Sequence, residues 1–448
     1  MKRIIGMVLV LALLCSQAVC EELSFEEFLN SGLEHSYQLK KAVLDKSISQ
    51  KGIGEARSEY LPTLSAYAVS ERYNDLTDGR AQITAIGNEI FLNRNYYQDA
   101  AALMLAYNVF DFGIRRRQLD IAKADFTQKE YMLKKDTYDL KLDLVDLYAQ
   151  TLSLYKEINI KKSVLGVHEE LNEINKRLKE AGKISEIDVI DGEIKISELR
   201  TQIEDLSNNF SKKLIDMTFY TNKEYSSDSI QIKDFSKDDS AFTPQNGVAK
   251  LSAEVITLTP ENSPDNFIYD LEILKKKKEY EIQKRYNYPK IKLDSRYSLY
   301  GSDTNNLFDA FSDISQRSFS IRLTASMTLF DGLKNRNKIA KAKYEIEKAK
   351  IEKEQKMAEL KAKYEQIQLD AKNAAIQEEN VIKTLALVNK NLNLMERLNF
   401  NGLSDKSECL KRKLALLDKK LDLEENQIKL QTSQYKLKVL SDKNEESL

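Results

Sequence analysis

Few residues in this sequence could take part in catalysis. The chain has two histidines, His35 and His168, which lie in separate predicted helices. Serine and acidic residues are abundant, but two isolated histidines offer little basis for an activated nucleophile. No Cys or His cluster has metal-ligand spacing. The run Gly182-Lys183-Ile184-Ser185 lacks the earlier glycine of a phosphate-binding loop and predicts a turn. The sequence therefore predicts neither an enzyme nor a cofactor or metal site.

The first 20 residues are typical of a secretory signal peptide. Lys2 and Arg3 precede an apolar run from Ile4 to Leu14, which is too short to span a membrane as a helix. Cys20 is then either the last residue of the signal or a lipidated first residue of the mature chain. Cys409 is left as a single cysteine, which excludes an intramolecular disulfide framework in the mature protein.

The composition favours long helices over a conventional large core. Charged residues make up 31% of the chain, the mean hydropathy is −0.50, and there are only 5 prolines and no tryptophan. Without the first 20 residues, 67 basic and 70 acidic side chains remain, so the net charge is about −3. This balance gives no support to nucleic-acid binding.

The chain is predicted to contain an internal duplication. The run Val109-Phe110-Asp111-Phe112-Gly113 is echoed by Leu329-Phe330-Asp331-Gly332, and the two Phe-Asp pairs are 220 positions apart. Arg177-Leu178…Gly182 and Arg397-Leu398…Gly402 have the same offset. Two matches at one offset indicate a unit of helix, two strands, long helix, turn and helix that occurs twice.

Prolines, glycines and hydrophobic periodicity set the expected boundaries. Residues 1–20 are the signal and 21–220 the first repeat, with a helix from about Leu23, strands 60–74 and 96–110, a loop at 74–95, and long helices 113–180 and 185–220. An irregular connector is expected at 221–265. The second repeat spans 266–440, with an initial helix, strands 289–300 and 318–330, and long helices 335–400 and 404–440; a loose tail at 441–448 follows.

The first long helix carries two neighbouring apolar seams. Both alternate spacings of four and three residues, as in coiled coils, and adjacent seams predict a helical neighbour on each side. One seam comprises Leu140, Leu144, Leu147, Thr151, Leu154 and Ile158; the other comprises Tyr138, Leu142, Val145, Ala149 and Leu152.

The strands of the second repeat alternate apolar and polar residues for more than ten positions, notably from Phe319 to Leu329. Such alternation suits a transmembrane barrel strand, although a half-buried strand of a soluble sheet would share it. Four strands cannot close a barrel, and an open edge cannot face lipid. Several copies must therefore pool their strands, and periodicity alone does not choose among two, three or four copies.

The duplicated unit resembles the TolC-like outer-membrane efflux proteins. The resemblance also extends to the residues after the signal, to the end of the first helix and to the first turn, over nearly the whole mature chain: Leu23-Ser24-Phe25-Glu26-Glu27-Phe28-Leu29, Tyr60-Leu61-Pro62 and Gly182-Lys183-Ile184-Ser185-Glu186-Ile187-Asp188-Val189-Ile190-Asp191.

This resemblance implies a mainly α fold with membrane β-strands, in which duplicated long-helix hairpins and four strands per chain trimerise. The homotrimer would form a twelve-stranded barrel in the outer membrane, surrounded by its lipid and continued by an α-helical barrel in the periplasm. It would be a passive exit duct for efflux or type I secretion, served by a periplasmic adaptor and an inner-membrane pump or ABC transporter.

The resemblance also assigns roles to individual residues. Turn residues Gly182, Lys183, Gly402 and Leu403 would contact the adaptor, and carboxylates Asp188, Asp191, Asp405 and Glu408 would ring the periplasmic mouth. The second copy departs from the family pattern, with Cys409 and Lys411 where Val and Asp are expected. The alternative for these acids is a simple preference for helix N-termini. Phe110, Asp111, Gly113, Phe330, Asp331 and Gly332 mark the strand-to-helix junctions.

A second functional class remains open, a non-conducting coiled-coil protein of the periplasm or surface, such as an adhesin stalk. Strands of membrane length argue against it, because a stalk does not need them.

Overall fold

The computed structural model describes residues 21–73, 81–85, 88–92, 96–227, 229–235, 260–303, 306–312, 314 and 316–445. The expected signal peptide and Cys20 lie outside the described residues. Within them, the chain is mostly helical. No described helix is both long enough and apolar enough to cross a membrane.

The helices and strands follow one another in an order that repeats strand pairs and long helices. In chain order they are β1 (Glu21–Leu23), α1 (Phe25–His35), α2 (Tyr37–Ser58), β2 (Thr63–Tyr73), β3 (Ala81–Ala85), β4 (Asn88–Leu92), β5 (Tyr96–Phe110), α3 (Ile114–Glu180), α4 (Glu186–Thr221), β6 (Ile230–Ile232), α5 (Pro264–Arg285), β7 (Lys290–Asp303), α6 (Leu307–Ser312), β8 (Gln316–Ser326), α7 (Lys334–Phe400) and α8 (Lys406–Glu445).

The described residues form two compact units. The helical unit draws on the described residues within 1–44, 131–267 and 354–448, and the sheet unit on those within 45–130 and 268–353. Each long helix, α3 or α7, contributes residues to both units.

The core of the helical unit surrounds Tyr148. This side chain is fully buried and packs against the rings of Phe25, Phe28 and Phe235. Burial raises the pKa of Tyr148, so its hydroxyl stays protonated and donates a hydrogen bond to the Lys233 carbonyl at 2.7 Å. That carbonyl follows β6, which pairs in parallel with β1. The core therefore fastens the first described strand to the segment after α4.

The two seams expected on α3 are buried, except for the half-buried Leu154. They contribute to two separate clusters. Leu140, Leu144 and Leu152 belong to the cluster that contains Phe28 of α1, whereas Tyr138 and Leu142 belong to the cluster that contains Tyr364 of α7 and Val439 and Leu440 of α8. The helix thus has neighbours on both sides, as the paired seams indicate.

The sheet unit contains a four-stranded antiparallel sheet with strand order β2-β5-β7-β8. The strands contain 11, 15, 14 and 11 residues, enough for the 9–11 that a tilted membrane strand needs. Among the described strands, β2 pairs only with β5 and β8 only with β7. Both outer edges of this sheet are open.

Alternation gives the sheet one apolar and one polar face. The register places Leu293 opposite Leu323 and Tyr297 opposite Phe319 on the apolar face, where Leu323 and Phe319 are 67% and 66% exposed. The polar face carries Lys292, Asp294, Arg296, Ser320 and Arg322 on the same two strands. A soluble sheet would cover such an apolar face with another layer.

The structure differs from the sequence-based expectation at several places. The region expected to be a loop at 74–95 contains the antiparallel pair β3 and β4, and the connector contains β6. Helix α6 lies between β7 and β8 and was not expected. Helix α8 continues to Glu445, into the expected tail.

Two expected boundaries also shift, each for a local reason. The single helix expected from Leu23 is interrupted at Ser36, whose hydroxyl accepts a hydrogen bond from the Leu39 amide and starts a new helix. Strand β8 ends at Ser326 rather than 330, because its partner β7 begins at Lys290, opposite Ser326. The residue before Lys290 is Pro289, which has no N–H to extend the ladder.

Candidate functional site

Asp111 organises the first strand-to-helix junction, which lies in the sheet unit. Its carboxylate accepts hydrogen bonds from the amides of Gly113 and Arg115, both at 3.0 Å, and pairs with the Arg115 guanidinium at 2.9 Å. That guanidinium also donates to the carbonyls of Glu59 and Val109. The pair is largely buried, with side-chain exposures of 9% for Arg115 and 16% for Asp111. This network ties the end of β5 to the start of α3 and to the residues after α2.

Asp331 occupies the same place in the second junction with fewer partners. Its carboxylate accepts from the Asn335 amide at 2.9 Å, as that of Asp111 does from Arg115 four residues on. Each junction also has two successive residues of positive φ: Phe112 and Gly113, then Gly332 and Leu333. The glycine takes the second place in one copy and the first in the other. The duplication therefore preserves the backbone conformation rather than the glycine position.

The two turns between long helices have the same backbone geometry in the helical unit. At the first, the amides of Gly182 and Lys183 donate to the carbonyls of Lys179 and Leu178, both at 2.8 Å. At the second, Gly402 and Leu403 donate to Asn399 and Leu398 at 2.9 Å. This is the Schellman arrangement, which requires a left-handed residue; Gly182 and Gly402 have φ of 69° and 70°.

Alanine in place of Gly182 or Gly402 should destabilise the protein by about 1 kcal/mol. The only cost is that a residue with a Cβ must adopt the left-handed backbone conformation, which is unfavourable for it. A Cβ at Gly182 or Gly402 would meet no atom within 4 Å. Gly166→Ala is the matched control: it lies inside α3, also in open space, and should stabilise by about 0.5–1 kcal/mol. Urea unfolding of the three variants measures the change in the free energy of unfolding. A lower free energy of unfolding in all three variants would contradict this explanation.

The four candidate gate carboxylates have different surroundings. Asp188 completes a capping box: its carboxylate accepts from the Ser185 amide at 2.9 Å, and its own amide donates to the Ser185 hydroxyl. Glu408 pairs with Arg412 at 3.0 Å and lies 3.7 Å from Lys411. Asp191 and Asp405 are exposed. The carbonyl of Asp405 accepts from the amides of Glu408 and Cys409 at the start of α8. The capping alternative therefore describes Asp188 well.

An ion pair that sequence reasoning missed joins the two helical hairpins. Lys406, in the first turn of α8, contacts Glu170 of α3 at 2.5 Å. The hydrogen bond from Lys406 lowers the pKa of Glu170, which keeps the carboxylate ionised. The partners are more than two hundred positions apart, and neither belongs to a motif, so no local signal marks them.

Exposed apolar residues cluster in sequence around both turns. Phe400 is 92% exposed, Leu403 75% and Ile187 68%. A contiguous group of exposed apolar side chains, unlike a single one, marks a surface for another molecule. Among the described residues, no group of His, Cys, Asp or Glu side chains is arranged to hold a metal ion.

Comparison with known proteins agrees with this architecture. The structure is similar to the outer membrane protein VceC of Vibrio cholerae (TM-score 0.73, 13% identity, covering 93% of this chain and 94% of that one). It is also similar to the CmeC outer membrane channel of Campylobacter jejuni (0.75, 14%, 94% and 86%). The open-state MtrE outer membrane channel of Neisseria gonorrhoeae matches less closely (0.55, 14%, 92% and 88%).

Sequence comparison supplies the family. No curated protein sequence matches this chain. The model of the outer membrane efflux protein family matches residues 28–223 and 262–441, which comprise most of the chain and both repeats. This family consists of outer-membrane channels rather than enzymes. The chain therefore belongs to the outer membrane efflux protein family and is an efflux channel protein of the outer membrane.

Proposed function

We propose that three copies of this chain assemble into a passive exit duct, through which a partner pump drives substrates out of the cell. The observation that carries the proposal is the four-stranded sheet of membrane length with two open edges and one exposed apolar face. Three such sheets, joined β8 to β2, supply twelve strands and leave no edge in lipid.

The polarity of the sheet supports this assembly. On the apolar face, successive levels of β7 and β8 carry Ile291 with Ala325, Leu293 with Leu323, Ser295 with Ile321, and Tyr297 with Phe319. Lipid would cover this face. On the other face Arg296 lies over the ring of Tyr67 at 5.2 Å and donates to the Ser298 hydroxyl at 2.9 Å, an arrangement suited to a water-filled lumen.

Exposed apolar side chains of the helical unit support contacts between copies. Helix α7 exposes Leu369, Ile376, Leu387 and Leu394, separated by 7, 11 and 7 residues. Steps of 7 and 11 total 18 residues, five turns of a straight helix, so these residues form one stripe. Helix α4 exposes Ile215 and Phe219 one turn apart. A neighbouring copy would cover both surfaces.

The turns form the periplasmic mouth in this proposal. The apolar residues around them, Phe400, Leu403 and Ile187, would meet the hairpins of a periplasmic adaptor, together with Gly182, Lys183 and Gly402. Asp191 and Asp405 are the preferred gate carboxylates, because both are exposed, whereas Asp188 is engaged in its capping box and Glu408 is paired with Arg412 and lies near Lys411. The Lys406–Glu170 pair would hold the second hairpin against the first.

The mass of the purified protein in detergent, followed by single-channel recording in planar bilayers, tests the duct. We expect a trimer mass and discrete ion-conducting openings. The double variant Lys406→Ala with Glu170→Ala should open more often, since it removes the pair that holds the hairpins together. A monomer or dimer that never inserts would overturn the duct and favour the coiled-coil alternative.

Asp191→Lys should lower the cation-to-anion permeability ratio several-fold, because a ring of carboxylates favours cations and a ring of ammonium groups favours anions. The reversal potential under a salt gradient gives this ratio. The permeability ratio of Asp191→Asn should fall between those of the wild type and of Asp191→Lys. Glu198→Lys, about two turns further along α4, is the control for a distant charge change. An unchanged ratio in Asp191→Lys would remove this residue from the mouth.

A further inference from the structure

The short helix α6 lies against the apolar face of the sheet. It packs on β5 and β7, and Ala310, which is fully buried, faces Gly301 of β7. A Cβ at Gly301 would collide with the Ala310 carbonyl oxygen and lie 3.1 Å from the Ile314 side chain. Gly301 lies on the same face of β7 as Leu293, Tyr297 and Leu299, because it is an even number of residues from each and the register of β7 is unbroken between them. The helix therefore covers the same face that carries the exposed leucines.

The opposite side of α6 is apolar and exposed. Phe308 is 78% exposed and Leu307 40%. Phe308 precedes Ala310 by two positions, about 200° around a helix, so it projects away from the sheet. The helix is held in this orientation by its start, where the Asn306 side chain accepts from the Phe308 amide at 3.0 Å and the Asp303 carboxylate accepts from the Asn306 amide at 2.8 Å.

The order of side chains along the apolar face locates α6 relative to the bilayer. Starting from the end nearest the long helices, β7 and β8 present Ile291 and Leu293, then Ser295 opposite Ile321. The aromatic pair Tyr297–Phe319 follows, and then Leu299 opposite the exposed Arg317. Gly301, under α6, follows about 13 Å beyond Tyr297 along the strand. An aromatic pair followed by an arginine is the sequence expected where acyl chains give way to charged headgroups.

We propose that α6 is an interfacial element of the outer leaflet, with Phe308 inserted at the boundary between lipid headgroups and acyl chains. The inference rests on the proposed assignment of the apolar face to lipid. We infer that lipid, and not a protein, covers the exposed side of α6. This side continues the apolar face of the sheet, and the neighbouring residues on that face, the aromatic pair and Arg317, match a membrane boundary. Gly301 serves this role by allowing α6 to lie flat against the strand.

The absence of tryptophan from the sequence permits a direct test. Phe308→Trp introduces a single fluorophore into the full-length assembled protein, reconstituted in phosphatidylcholine vesicles that contain brominated lipid. Phe319→Trp is the positive control for the lipid face, and Tyr300→Trp, on the polar face, is the negative control. Bromines close to the headgroups should quench the Phe308→Trp variant at least about threefold more than the Tyr300→Trp variant, and more than bromines near the bilayer centre do.

The three variants test the interfacial position of α6 separately from the proposed duct. Quenching of Phe319→Trp but not of Phe308→Trp would overturn the interfacial role of α6 and leave the duct intact, whether α6 then faces water or a neighbouring copy. Acrylamide in the aqueous phase distinguishes those two cases, because it quenches the indole at position 308 only where water reaches it. Quenching of Tyr300→Trp rather than Phe319→Trp would overturn the assignment of the sheet faces and, with it, the proposed duct.

Discussion

Asp111→Ala is expected to lower the free energy of unfolding by about 3–5 kcal/mol, because it removes one partner of a buried ion pair and leaves the charge of the other uncompensated. Arg115 is 9% exposed as a side chain and would keep the carbonyls of Glu59 and Val109 and the ring of Tyr60, none of which carries a negative charge. The amides of Gly113 and Arg115 would also lose their acceptor. Urea unfolding of the purified assembly, monitored by circular dichroism, measures the loss.

The internal duplication supplies the matched control. Asp331→Ala removes an acceptor from the Asn335 amide at the equivalent place, where the described residues place no basic side chain in an ion pair with Asp331. The expected loss is about 1 kcal/mol, that of an ordinary helix N-cap. Equal losses at the two aspartates would mean that the capping interaction, and not the pair with Arg115, stabilises the first junction.

The same comparison shows why the sequence predicts some features and misses others. Proline, glycine and period-two alternation act over a few residues, so they locate the junctions, the turns at Gly182 and Gly402 and the strand faces. The environment of each junction depends on distant residues. Glu59, whose carbonyl accepts from Arg115, lies 56 positions away, and no local pattern signals it.

The candidate mouth follows the same division. The acids after each turn are visible in the sequence, and so is the pairing of Ser185 with Asp188 three residues on as a possible cap. Whether an acid is engaged or exposed depends on its neighbours in the fold. The Lys406–Glu170 contact joins two hairpins and could not be predicted from either. Likewise, α6 is too short to carry a periodic pattern, and only its packing on Gly301 gives it a defined position.

Leu105→Arg should lower the free energy of unfolding from the membrane by about 2–4 kcal/mol per copy. This is the penalty for an arginine on the lipid face of a barrel near the bilayer midplane. Leu105 lies on the apolar face of β5, opposite Leu64 of β2 and Ser295 of β7. Because β5 is an interior strand of the sheet, the change leaves both open edges intact. Any loss of assembly then reports on lipid exposure and not on blocked pairing between copies. Urea titration of folding into vesicles gives the energy.

Ala106→Arg completes the argument, because the two residues are adjacent and differ mainly in the face they occupy. Ala106 lies on the polar face, opposite Thr63 and Asp294, where an arginine meets a carboxylate across the strand pair. Its effect should be near zero or slightly stabilising. If both faces met water, the two variants would behave alike. A large penalty at position 105 and none at 106, measured for folding into vesicles, is the result expected of a sheet with lipid on one side and a lumen on the other.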